Sequence, residues 1–233
     1  DGKSITVMSN NDNDQHLATY STSPLSFSVY IAKEGKYVVN EHYYLVLKNG
    51  SETLGSGSKI DASWTPTSNA TYTVEVYNIY TMSAVAGTGV QTVTTTSGTS
   101  GFDNNKIKYG DNATFTATTK LGYDTFDGWY NGTTKVSSNL SYTLTGVKAN
   151  TTLTAKATPN TYTVKYNKNN TSASGTMADS SFTYDVSSYL KSNSFIAPTG
   201  KVFIGWATSA SGDAVYTNAG LVKNLTATKG GTV

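Results

Sequence analysis

The sequence predicts an all-β protein assembled from small domains in series, and three observations carry that prediction. Thr, Tyr and Val recur throughout, with 17 Tyr among 233 residues, and these side chains suit a pleated, half-buried surface. Apolar and polar residues alternate in many short runs punctuated by Gly, Asn, Asp and Ser. No helical period of normal length is present, and only SSYLKSN (residues 187–193) has the pattern of a short helical turn.

The first domain, 1–92, reads as strands spaced by turns. LSFSVYIA places Phe27, Val29 and Ile31 on one face. HYYLVLKNG is a strand ending at Asn49-Gly50, a hairpin signal. TYTVEVYNIY sets Tyr72, Val74 and Val76 on one face and Thr73, Glu75 and Tyr77 on the other. Several such strands in about 90 residues suggest a β-sandwich.

VQTVTTTSGTSG then leads into a second domain, 93–160. Ala113, Phe115 and Ala117 alternate there, as do Tyr142 with Leu144, and Leu153 with Ala155 and Ala157. A third domain, 161–233, opens with TYTVKYN.

The second and third domains share a frame. Phe-x-Gly-Trp occurs at Phe126–Trp129 and at Phe203–Trp206, each preceded by a glycine, Gly122 and Gly200. Tyr109 lies 20 residues before Trp129, and Tyr184 lies 22 before Trp206. A shared order of tyrosine, glycine and Phe-x-Gly-Trp is the mark of a repeat. In a plain strand Phe126, Gly128 and Tyr130 share one face, with Asp127 and Trp129 on the other, unless a bulge resets the phase. By that reading Trp206, beside Ile204, is packed. Trp129, beside Asp127, is the better candidate for exposure.

Composition narrows the function. Cys is absent, which excludes disulfides, thiolate metal sites and cysteine nucleophiles. All basic residues are Lys and the net charge is only +2, so no nucleic-acid partner is expected. No apolar run reaches membrane-spanning length. NNDNDQH lacks the glycine and distal acid of a calcium loop, and His16 and His42 alone make no zinc site. Acids are too sparse for a glycosidase pair, and neither a nucleophile elbow nor a phosphate loop is present. The chain therefore reads as non-enzymatic, with no cofactor and no metal.

Two resemblances follow from these motifs. IDASWTPTSNATYTVEVYN, through Trp64, Pro66, Tyr72 and Val74 and with Tyr43-Tyr44 upstream, resembles the Ig-like bacterial extracellular domain of triple-tyrosine type over roughly residues 24–80. TYTVKYN, SGTMADSSFTY, FIGW and LTATKGG, in that order, resemble the Listeria–Bacteroides (internalin B-type) B repeat. Residues 161–233 look like its standard form and 94–160 like a divergent one. The resemblances imply an Ig-like β-sandwich followed by two small β-grasp-like B-repeat domains. They also imply a bacterial, often Gram-positive, cell-surface or secreted location, and roles as spacer, adhesive module or weak binding unit. In the B-repeat pattern a closing strand begins at GGTV and continues past Val233, TTLTAKA being its equivalent in the preceding repeat.

The abundance of aromatics with little charge points to a polysaccharide, or a host or surface glycan, as partner. The ligand-binding candidates are Trp129, Tyr130, Trp64, Tyr77 and Tyr80. The alternative is a structural stalk, or an adhesin segment that contacts other surface proteins.

Overall fold

Many of the alternating runs fold as strands. The computed structural model describes residues 4–9, 17–18, 25–33, 36–37, 42–64, 70–96, 98–99 and 102–233, and among these it holds nineteen strands and no helix. The expected all-β class is what the chain adopts. The NNDNDQH stretch with His16, and the side chain of Trp64, lie outside the described residues.

The chain forms two compact units. One comprises Asp1–Ala84, Thr94–Thr116 and Ser141–Leu153, the other Val85–Val93, Ala117–Leu140 and Thr154–Val233.

In the first unit, strand Leu25–Lys33 pairs antiparallel with Ser4–Ser9 on one side and Ile60–Trp64 on the other. Strand Tyr43–Asn49 lies between Glu52–Gly57 and the long strand Ala70–Ala86. Asn49-Gly50 makes the predicted hairpin turn, with Asn49 opposite Glu52 and Gly50 at φ 59°. Apolar residues from both groups of strands meet in one core, where Val29 and Ile60 pack with Leu45, Leu47 and Tyr72. The result is a sandwich-like pairing of two sheet faces, each burying its apolar set. Of the predicted inner face Tyr72–Val74–Val76, Val76 runs out of the core and is exposed. Lys106–Lys108 pairs with the long strand at Ile79–Thr81, and Phe115 sits opposite Tyr142.

In the second unit, strand Thr125–Asn131 lies between Thr134–Ser137 and residues 154–158. Ala155, Ala157 and Trp129 are buried there. Thr161–Val164 pairs with Ser180–Thr183, and a second cluster forms from Tyr162, Val164, Phe182, Leu190 and Val222. Gly230–Val233 runs parallel to residues 161–165, through Thr163 N donating to Gly231 O at 2.9 Å and Lys165 N to Val233 O at 2.8 Å. The segment with helical pattern, 187–193, is extended instead. Ser188–Tyr189 pairs with Leu221–Val222, which lets Leu190 enter the core.

Candidate functional site

The two Phe-x-Gly-Trp frames share a backbone device. Gly128 sits at φ 152° and Gly205 at φ 146°. A Cβ at Gly128 would lie 2.4 Å from Ser137 O, and one at Gly205 2.7 Å from Tyr216 O. Only glycine lets the neighbouring strand approach so closely. In the first frame the register slips between Phe126 and Gly128, leaving Phe126 opposite Ala157 and Trp129 opposite Ala155. This is a bulge at Asp127, and it resets the alternation. Phe126 and Trp129 therefore share a face, with ring centroids 6.1 Å apart, edge to face.

The bulge corrects the expectation for Trp129. Its side chain is 0% exposed, and its Nε1 donates to Leu140 O at 3.3 Å. Trp129 therefore packs the repeat and offers no platform to a ligand. The same phase change turns the middle residue outward. Asp127 is half-buried, and its counterpart Ile204 is 82% exposed. Trp206 packs against the core cluster of the second unit as expected, though it is only partly buried and more open than Trp129.

Tyr130 is half-buried and engaged at both ends. Its Oη donates to Asp127 Oδ2 at 2.6 Å, and Lys156 Nζ lies 4.6 Å from the ring centroid. Lys135 Nζ bonds Asp127 Oδ1 at 2.9 Å. The bonds from Tyr130 and then Lys135 hold the Asp127 carboxyl below its ordinary range, and the Asp127 bond pushes the Tyr130 phenol up. Tyr77 is built alike in the first unit. Its Oη donates to Glu75 Oε2 at 2.6 Å, Lys48 bonds Glu75 Oε1 at 2.8 Å, and Lys108 Nζ lies 4.8 Å from the ring centroid. Tyr80, three positions along the same strand, belongs to the opposite face from Tyr77. The two do not form one aromatic surface. The backbone of Trp64 pairs with Leu25.

A concave site in the second unit lies at residues that the sequence did not single out as binding. A cavity of about 560 Å³ is lined by Tyr166, Phe195, Phe203 and Trp206, among others, with Asn167, Asn169, Asn170 and Asn193 also on its wall. Trp206 meets Phe203 at 4.8 Å and Tyr166 at 5.0 Å between centroids, both edge to face. Its Nε1 is enclosed and has no hydrogen-bond partner, a costly state for a buried donor.

A second built feature surrounds Asn160, which is 2% exposed. Its Nδ2 donates to Asp124 Oδ2 at 2.8 Å and to Ala227 O at 2.7 Å, while Oδ1 accepts from Asp124 N at 3.0 Å. Its backbone N–H bonds Gly122 O, and its carbonyl accepts from Tyr184 N, both at 2.8 Å. Beside it Tyr123 Oη donates to Asp185 Oδ2 at 3.1 Å, and the Tyr123 and Tyr184 rings meet at 6.1 Å. A Cβ on Gly122 would lie 2.3 Å from the Tyr184 ring. Bonds from Asn224, then Tyr123, then Lys223 hold the Asp185 carboxyl below its usual range. Every polar group of the Asn160 side chain is thus satisfied by Asp124 and Ala227.

Among the described residues no group of three or more His, Cys, Asp or Glu could hold a metal ion. No helix there is long and apolar enough to cross a membrane. Comparison with protein-family models, curated proteins and solved structures gave no match.

Proposed function

We propose that this chain is a non-enzymatic structural segment of a bacterial cell-surface or secreted protein, in which the second unit serves as one rigid connector. The observation that carries the reading is the Asn160 junction. A buried amide that bonds Asp124 from one repeat and Ala227 from the next, with all its capacity used, fixes geometry in a way a solvated linker does not. The repeat frame supports the same reading, since strings of like units suit projection. The bacterial surface location rests on the B-repeat and Ig-like resemblances. Carbohydrate binding, the other function the composition suggests, is left with weak footing at its named residues. Trp129 is buried, and Tyr130 and Tyr77 already hold an acid at the hydroxyl and a lysine at the ring.

Small-angle scattering of the intact chain tests the connector reading, with Asn160→Ala beside it. The second unit should scatter as one compact body, and the variant should loosen it. A native profile of freely jointed modules would overturn the reading. A parallel pull-down on starch, cellulose, xylan, chitin and mucin should show no retention; firm retention on one polymer would restore glycan binding.

A further inference from the structure

Strand Thr161–Val164 is gripped along both edges. On one side it pairs antiparallel with Ser180–Thr183, from Thr161 opposite Thr183 to Val164 opposite Ser180. On the other it runs parallel to Gly230–Val233. Four backbone bonds make that parallel seam. Gly230 N donates to Thr161 O at 2.8 Å, Thr163 N to Gly231 O at 2.9 Å, Val233 N to Thr163 O at 2.9 Å, and Lys165 N to Val233 O at 2.8 Å. Just ahead of the seam, Asn160 Nδ2 donates to Ala227 O at 2.7 Å. The inward side chains of the strand are anchored as well. Tyr162 and Val164 are buried, and the Tyr162 ring stacks on Phe182 at 5.8 Å between centroids.

The direction of the seam decides how it meets a load. In a parallel pair the start of one segment and the end of the other lie at opposite ends of the ladder. A pull on Thr161 away from Val233 therefore slides one segment along the other. The bonds of the seam lie across that motion and share the load at once, and the ladder to Ser180–Thr183 shares it with them. Sliding also drags Tyr162 and Val164 out of their core cluster. A pull on Thr161 away from Lys229 opens the same seam from one end, where the bonds break in turn.

We propose that this seam is a shear clamp, the element by which the second unit bears tension along the chain. The inference deepens the connector reading and rests on it for the direction of the load. Rigidity and tensile strength are separate properties, and the seam supplies the second.

The test is a single-molecule force measurement on the intact 233-residue chain. Cys is absent, so two engineered thiols are the only attachment points. One form carries Thr161→Cys and a cysteine appended after Val233, and is pulled along the seam. The other carries Thr161→Cys and Lys229→Cys, and is pulled across it; both replaced side chains are exposed. Forced unfolding reads the unfolding barrier, and the rupture force along the seam should be several-fold the force across it. Val233→Pro removes the donor to Thr163 O at the far end of the seam. It should lower the force along the seam and leave the force across it unchanged, because the first bonds to open across it lie at the Thr161 end. Equal native forces in the two directions overturn the proposal, whatever the variant does. A force along the seam that Val233→Pro does not lower overturns its assignment to these bonds. Scattering from a loosened second unit would overturn the connector reading and leave the force ratio unmoved, so the two fail separately.

Discussion

Asn160 and Asp124 bond each other reciprocally: the Asn160 amide donates to the Asp124 carboxylate at 2.8 Å and accepts from the Asp124 backbone N–H at 3.0 Å. The exchange links the start of strand Thr125–Asn131 to the residue just before strand Thr161–Val164. Removing the amide leaves Asp124 N and Ala227 O without their partners. Asn160→Ala should therefore destabilise the second unit by about 2 kcal/mol, read by urea denaturation. Asn160→Asp keeps an acceptor for Asp124 N but loses the donor and sets two carboxylates together, so it should cost at least as much. A variant as stable as the native chain would remove the junction from the account of rigidity.

The two tryptophans should respond unequally to truncation. Trp129 is sealed against Phe126, Ala155 and the Leu140 carbonyl. Trp129→Ala should cost about 3–5 kcal/mol, the range for a large aromatic lost from a core. Trp206 borders the cavity, and its N–H is unpaired, so Trp206→Ala should cost about 1–2 kcal/mol. Denaturation with far-UV circular dichroism separates the two. The reverse order would show that the first frame is the open one.

The glycine of the frame makes a sharper comparison. At Gly128 the backbone lies at φ 152°, and a Cβ would press on Ser137 O. At Gly132, in the nearby turn, φ is 59° and the space is open. Gly132→Ala should cost about 1 kcal/mol from the left-handed backbone alone. Gly128→Ala adds a steric clash with a neighbouring carbonyl and should cost clearly more, about 3 kcal/mol. Equal melting temperatures for the two variants would contradict the bulge geometry.

These sites also mark what could be read from the chain. Local signals were legible: Asn49-Gly50 made its hairpin, and the alternations at Ala113–Phe115–Ala117 and Leu153–Ala155–Ala157 gave buried faces. The shared Phe-x-Gly-Trp frame was visible because Gly and Trp recur in it, and both copies place that glycine at positive φ. The face of Trp129 was not, because a bulge is one residue of extra chain and reverses every side chain beyond it. Nothing local marks its phase beyond the glycine, which serves a turn as well as a bulge. Asn160 carries no local signal; its partners at Asp124 and Ala227 are distant in sequence and invisible to any pattern. The cavity is likewise a product of packing, since Tyr166, Phe195 and Trp206 converge from three separate segments.

The carboxylates beside the tyrosines predict the direction of acid sensitivity. Asp185 is held below its ordinary pKa by bonds from Asn224, Tyr123 and Lys223, and Asp127 by bonds from Tyr130 and Lys135. A carboxyl depressed in the folded state binds protons more weakly there than in the unfolded chain. Its contribution is therefore present in full above the unfolded value, about 4, and is lost as pH falls through the folded value. The melting temperature should be flat across neutral pH on this account and decline below about pH 4. Asp185→Asn and Asp127→Asn should each flatten that decline. Both groups face solvent, so each effect should be small and should shrink further in high salt. Tyr123→Phe removes one donor from Asp185 while leaving the ring against Tyr184, and should raise the Asp185 pKa, read from its side-chain carbon shift during NMR titration. An unmoved titration would mean that Asn224 and Lys223 alone set that carboxylate.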